Sequence, residues 1–577
     1  MRTFLLWLLG WGLIACSETP ATLEIRVVDE SGQPTPARLE LLDEAGQSHI
    51  ADDGLRVKTE CFTTPLPDWA SSLVTARSID NPYTGTTQFY ADGTARASLP
   101  PGRYRARASK GIEYRVASGV IDLGAGASDR LELVLERWID MPAQGWFSSD
   151  DHLHITRLNA EDDALIGKWM RAEDLHVANL LRMGTQEHFG ITPQYAFGDD
   201  GAYRDGSSLV LAGQEHPRTH VLGHTITLGA EAAIDRRDSY AIYQGFWQES
   251  RRLGGASGYA HLGTGHAREG LAIDAPTGLL SFLEVLQFDI AWYEVLYELL
   301  NLGVRIAPSA GTDFPCIPSI PGRERFYTRV GEVGGELPTR ASWIAGVRAG
   351  HTFATNGPLL ELEIGGVGIG HELHLDGPRD VRVHGRVRFD PARDDVQRLE
   401  LVRGGEVVAV AGERVAPGEI RLDAKMRVPE STWLALRASG EKIGELPLVT
   451  TKWFRPENLD IGCRLGCGAS MYERAEYVGA GRTRPSLAHT APIYVRVGDR
   501  AIRPAPELLR AWIARLDAFE AQLADDRLEE LVVYRPFAGT LLIDGVPAEA
   551  LRRDRPELLR LIAKARKEYA GKLEGAR

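Results

Sequence analysis

The sequence predicts an α/β protein in which a parallel sheet or (β/α) barrel is flanked by β-sandwich regions. Three observations predict it. Segments 17–137 and 359–450 alternate apolar and polar residues with a period of two, the pattern of a half-buried sheet. Segment 138–358 alternates short apolar runs with helical stretches, which argues for strands connected by helices. Within that segment His, Glu and Asp recur at the carboxyl ends of successive apolar runs, where a (β/α) barrel assembles its active site.

Taken in chain order, residues 1–16 have one basic residue, Arg2, an apolar run from Phe4 to Ile14, and then Ala15-Cys16. The run is too short to span a ~30 Å hydrocarbon core and fits a signal peptide. Leu13-Ile14-Ala15-Cys16 resembles a bacterial lipobox, so Cys16 is the expected lipid-bearing N-terminus and the bacterial cell envelope the expected location. Ser17 favours the outer membrane. In 17–137, Leu23, Ile25 and Val27 alternate with Glu24 and Arg26, and Tyr104, Ala106 and Ala108 with Arg103, Arg105 and Arg107. The stretch LPPGRYRARASKG resembles carboxypeptidase-regulatory-like domains. In 138–358 the expected strands cover 208–212, 219–222, 280–286 and 304–308, and the expected helices 161–170, 238–253 and 292–302. Val381, Val383, Val387 and Phe389 mark a second sandwich in 359–450. Region 451–577 is mixed α/β. There, Leu508, Trp512, Leu516, Phe519 and Leu523 share one helix face, and 552–577 reads as a solvated helix.

The chain of 577 residues carries a net charge of −13. That surplus of acid argues against nucleic acid, which needs a cationic face. After export four cysteines remain, Cys61, Cys316, Cys463 and Cys467. A local Cys463–Cys467 bridge and a long-range Cys61–Cys316 bridge are both open in an oxidising compartment.

Nine of the fifteen histidines fall between His152 and His266. His152 and His154 are two apart, so on a strand they face one side and can share an ion. Glu215 and His216 end an apolar run; His220 and His224 follow in THVLGHTI; His261 lies in GYAHLG; Glu284 sits inside an apolar run; Asp313 ends another. The constellation points to His152, His154, Glu215, His224, His261 and Asp313 as metal ligands. His371, His374 and His384 read as surface residues and His489 as a loop residue.

These segments resemble the PHP superfamily, and within it the CehA/McbA family of metallohydrolases, over roughly 138–358. SSDDHLHI is similar to an opening Asp-x-His-x-His motif, with Asp150 in the Asp position. LAGQEH followed by LGH is similar to Gly-x-Glu then Gly-His. YAHLG, SAGTDF and the Asn356-Gly357-Pro358 block complete the order. The resemblance implies a distorted (β/α)7 barrel. The segment VANLLRMGT lacks the His that many members carry, and Phe314 and Pro315 follow Asp313 where many have Asp-x-His. A one- or two-ion site is therefore implied.

Such a donor set suits zinc, manganese or iron. The expected activity is hydrolysis of an ester, amide, carbamate or phosphoester of a small molecule by metal-activated water. Asp313 is the expected proton acceptor and His188, or His216, the expected acid. Asp150 is expected to fix an imidazole tautomer, and Arg182 is a candidate anion contact. The competing expectation is a catalytically degenerate metal-binding barrel acting as an envelope binding protein.

Overall fold

The computed structural model describes residues 19–58, 76–81, 83–184, 192–219, 222–261, 268–287, 290–316, 319–331, 336–440, 486–524, 535–537, 540–542 and 548–575. The expected signal segment with Cys16, the cysteines Cys61, Cys463 and Cys467, and His188, His220 and His266 lie outside them. Among the described residues no helix is long and apolar enough to cross a membrane.

The N-terminal strands form two sheets. Ala21–Asp29 lies between Thr94–Leu99 and Ser128–Leu135, and a second sheet runs Ile79–Asn81, Thr86–Asp92, Pro36–Asp43, Gly102–Ser109, Ala117–Leu123. The period-two pattern sets the faces. Leu23, Ile25 and Val27 meet Tyr104, Ala106 and Ala108 in one shared core, while Arg103, Arg105 and Arg107 are exposed. A buried ionic knot joins this unit to the next. Arg137 donates to Glu113 at 2.6 Å and to Asp174 at 2.8 Å, and the Tyr327 hydroxyl donates to Glu113 at 2.9 Å.

The expected α/β class with its (β/α)7 barrel is overturned. Thirty-two strands stand against seven α-helices among the described residues, and the sheet that carries the site is mixed. Trp146–Leu153 pairs in parallel with Val177–Met183, and that strand with Ser208–Thr219. Ser208–Thr219 then pairs antiparallel with Gly223–Leu228, and Gly223–Leu228 antiparallel with Ala256–Tyr259. Only three residues separate Thr219 from Gly223, too few for a parallel crossover of about a dozen residues or more. Of the run expected as a strand at 219–222, Thr219 ends one antiparallel strand and Leu222 precedes the next. Parallel pairing resumes from Ala256–Tyr259 through Phe282–Gln287 to Ala307–Ala310, and Arg325–Arg329 closes antiparallel on Trp146–Leu153.

The same sheet continues past residue 358. Thr352–Thr355 pairs with Leu487–Thr490, which pairs with Thr432–Ser439, followed by Arg398–Arg403 and Glu406–Ala411. Segment 359–450 is therefore not a self-contained sandwich beside a barrel. Leu359–Ile364, Val367–Gly368, Arg379–Arg388, Arg414–Ala416 and Glu419–Val428 form a separate five-stranded sheet. It packs on the continuing sheet through one core that also takes in Tyr327 and Phe353.

Helices Ala160–Ala172 and Tyr293–Asn301 lie close to their expected spans. The 238–253 stretch is a short 3-10 turn followed by a helix, Tyr243–Arg252. The helix Ala548–Gly575 is not simply solvated. Leu551, Leu558, Ile562 and Tyr569 are buried and share a core with Leu509, Trp512, Leu516 and Phe519 of Pro506–Ala524. Their spacing of seven, four and seven is a helical stripe masked in the sequence by the many charges between them.

Candidate metal centre

Five segments of this sheet bring the candidate ligands together. His152 comes from Trp146–Leu153, with His154 just beyond its end; Glu215 from Ser208–Thr219; His224 from Gly223–Leu228; His261 follows Ala256–Tyr259; Asp313 follows Ala307–Ala310. The groups His152–His154–Glu215, His152–His261–Asp313 and Glu215–His224–His261 each hold their donor atoms within 4.8 Å of one another. These are buried His, Glu and Asp clusters that could hold a metal ion.

Two oxygens of one carboxylate organise the centre. Glu215 Oε2 lies 3.2 Å from His154 Nε2 and 3.7 Å from His152 Nε2. Asp313 Oδ1 faces the same nitrogens at 3.2 Å and 3.6 Å. Glu215 Oε1 lies 2.9 Å from His224 Nδ1, 3.3 Å from His261 Nε2 and 3.2 Å from Arg218 Nε. The Nε2 atoms of His152 and His154 are buried and make no hydrogen bond. A buried polar atom without a partner costs free energy, and these two point at the same pair of carboxylates. A cation between them relieves that cost, so the residues present fit a divalent ion.

The remaining ring nitrogens set the tautomers. His152 Nδ1 meets Glu284 Oε1 at 3.0 Å, His154 Nδ1 meets the Leu181 carbonyl at 3.3 Å, and His261 Nδ1 meets Gln287 Oε1 at 2.6 Å. Each partner accepts, so the proton sits on Nδ1 and the Nε2 lone pair faces the cluster. Glu284 and Gln287 are three apart on Phe282–Gln287, a spacing that on a regular strand puts side chains on opposite faces. The pairing register shifts between Glu284 and Leu286, and such an irregularity re-aims side chains. Gln287 then donates to Glu284 Oε1 at 3.0 Å.

Asp150 does not fix an imidazole tautomer. It accepts from the backbone N–H of His152 (3.0 Å), Thr312 (3.2 Å) and Gly322 (2.8 Å), and from the Thr312 hydroxyl (2.7 Å). It therefore staples the Asp313 loop to the His152 strand. The loop approaches closely, since a Cβ on Gly311 would stand 2.8 Å from the His152 backbone nitrogen. His261 and Asp313 have φ of 50° and 57°. They are two of the three described non-glycine residues in the left-handed region, a conformation found where surroundings enforce it, often at functional sites.

The electrostatics favour positive charge. Burial lowers the His152 pKa, but Glu284, Asp313 and Glu215 outweigh it and hold the ring well above its ordinary value. Burial raises Glu215, yet Arg218, His152, His154 and His224 hold it well below the usual carboxylate range. Asp313 is lowered against burial by His152, His154 and His261. The Asp313, His224 and His261 side chains are 13%, 10% and 10% exposed, while those of His152 and His154 are fully enclosed.

Other expectations fall elsewhere. His216 is buried against Tyr240 and Phe246, its Nδ1 on the Gly184 carbonyl at 3.2 Å, and burial pushes its pKa down to about 4. It is a packed residue. His489 is not in a loop: it is buried in Leu487–Thr490. His371, His374 and His384 are exposed. Cys316 is disulfide-bonded, so the group it forms with His154 and Asp313 offers no thiolate while the bridge is closed. Arg218 and Gln287 were not singled out in the sequence. Gln287 depends on the strand irregularity, but Arg218 stands three residues after Glu215 in the same apolar-flanked segment, a visible position.

The chain matches no family model and no curated protein. Among solved structures it is similar to the minor pilin GBS52 of Streptococcus agalactiae, at 14% identity and a TM-score of 0.14, over 21% of this chain and 47% of that one. It is similar also to the Bacillus anthracis TIE protein, at 12% identity and 0.14, over 25% and 20%. A third likeness is to a streptococcal ancillary pilin, at 15% identity and 0.13, over 23% and 37%. The chain spans less than half the length of each, and scores this low carry no argument about fold or function.

Proposed function

We propose that this protein is a metal-dependent hydrolase of a small-molecule ester, amide, carbamate or phosphoester, exported and held at the cell envelope by a lipid on Cys16. The observation that carries the catalytic part is the pair of buried, unbonded Nε2 atoms of His152 and His154 facing Glu215 and Asp313. In this reading His152, His154, Asp313 and Glu215 Oε2 hold one ion. His224, His261 and Glu215 Oε1 make a second subsite. The all-imidazole and carboxylate donors favour zinc, manganese or iron. The motif resemblance to the CehA/McbA family supports the ligand assignment and the slight preference for ester, amide or carbamate over phosphoester. It does not extend to the barrel.

A divalent ion at the centre supplies an acidified water and Lewis-acid polarisation of a substrate oxygen. The chain's own residues do the rest. Glu284, Gln287 and the Leu181 carbonyl keep the imidazole lone pairs aimed at the cluster. Asp313, the most open carboxylate and one held ionised, takes the proton released as water attacks. Asp150 keeps that carboxylate in register with His152. The enclosed walls at His152 and His154 exclude bulk water from the inner side.

The test is elemental analysis of protein purified without chelator, followed by a panel of p-nitrophenyl esters and phosphates. We expect bound zinc, manganese or iron and turnover of at least one class. His152→Ala should lose both with its thermal unfolding retained. Wild-type metal content in that variant would overturn the ligand assignment. Stoichiometric metal without any turnover would favour the binding-protein reading.

A further inference from the structure

We infer that Arg218 is the resident cation of the second subsite and restricts the centre to a single divalent ion. The inference rests on the metal-centre reading above. The donor atoms that cluster at this subsite are Glu215 Oε1 and, 2.9 Å from it, His224 Nδ1, and an ion held there would take their lone pairs. Those are the two atoms that Arg218 Nε–H faces, at 3.2 Å and 3.4 Å. A guanidinium has no accessible neutral form in proteins, so its charge cannot be switched off to admit a cation.

The placement is built into the chain rather than a matter of side-chain drift. Arg218 stands opposite His224 in the strand register, just past an irregularity that separates it from Glu215. The Tyr240 hydroxyl lies 3.0 Å from the Arg218 backbone nitrogen and 3.1 Å from its carbonyl oxygen, clamping the peptide on both sides. The residue is 7% exposed, so the guanidinium has little solvent to withdraw into. Arg218 already sets one fixed positive charge against Glu215 at this subsite. A divalent ion there would stand beside that guanidinium in an enclosed site, an arrangement a low-dielectric interior penalises.

The experiment is metal stoichiometry of the full chain loaded with Mn²⁺ and dialysed, read by elemental analysis and by electron paramagnetic resonance. We expect one ion per chain in the wild type with an isolated-ion signal. In Arg218→Met we expect a second equivalent and the signal of an exchange-coupled pair. Arg218→Lys, which keeps a cation, should remain at one, and Arg218→Met combined with His224→Ala should return to one. Arg218→Gln serves if the Met variant does not fold, as judged by thermal unfolding. Two ions in the wild type, or one in every variant, would overturn the role of Arg218 while leaving the metal centre standing. No ion in the wild type or in any variant would overturn the metal centre itself.

Discussion

Replacing Glu284 by Gln removes a single charge but should disable His152 as a ligand. Glu284 is fully buried and accepts three hydrogen bonds: from the His261 backbone N–H on Oε2 at 2.9 Å, and from His152 Nδ1 and Gln287 Nε2 on Oε1 at 3.0 Å each. In the Gln variant the amide oxygen is claimed by the His261 N–H, which can only donate. The NH₂ group then faces His152 Nδ1 and the Gln287 amide. His152 must accept at Nδ1, so its proton moves to Nε2 and occupies the lone pair aimed at Glu215 and Asp313. Losing such a ligand-orienting partner costs about ten- to a hundredfold in metal affinity, or about 1.4–2.8 kcal/mol. The assay is competition with a chromophoric chelator at fixed pH, alongside thermal unfolding in excess chelator to isolate effects on the fold. Metal affinity within twofold of wild type would refute the tautomer argument, whatever happens to stability.

Two further outcomes follow from residues outside the centre. His489 is neutral in the folded state: its Nδ1 donates to the Thr490 carbonyl at 2.7 Å, Nε2 accepts from the Tyr297 hydroxyl at 2.9 Å, and burial pushes its pKa down to about 3. A depressed histidine pKa gives stability that is present above the ordinary value near 6.5 and lost as pH falls toward 3. Between pH 7 and 5 that loss is about 2 kcal/mol, so urea unfolding should weaken over this interval and His489→Gln should weaken less; equal pH slopes in the two proteins would contradict it. Cys16→Ser should move the protein from the membrane to the soluble fraction after cell lysis, and continued membrane retention would contradict the lipid anchor.

The cluster of candidate ligands was legible because the relevant residue types are rare inside apolar runs. His152 and His154 two apart, Glu215 closing LVLAGQ, and Asp313 closing VRIAPSAG each place a polar donor where packing alone prefers an apolar side chain. The fold around them was not legible for a related reason. Ser208–Thr219 and Gly223–Leu228 are buried along their whole length, so neither shows the alternation that separates an antiparallel hairpin from two parallel strands. The continuation of the sheet is hidden by distance: Thr355 pairs with Ala488, and nothing local to either segment records the other. The five-stranded sheet was readable as strands because its residues alternate. Its partner in packing was not, because Leu399, Leu401 and Leu436 answer to neighbours in both sheets.

The same contrast explains which parts of the centre the sequence assigned wrongly. A ligand is defined by its own chemistry, but an orienting residue is defined by what it faces. Asp150, two residues before His152, stood in the position of a tautomer anchor, yet its oxygens go to the backbone of His152, Thr312 and Gly322. Glu284 does that work from a strand 132 residues away, reached only through a register shift. Asp150 instead couples two candidate ligands mechanically. The N–H groups it holds lie at His152 and next to Asp313, and Asp313 is itself in a left-handed conformation that an unrestrained loop would leave. The separation between His152 and Asp313 is thus fixed by hydrogen bonds to a third carboxylate, independent of any ion. That is the condition under which buried donors stay aimed at one point instead of collapsing onto one another.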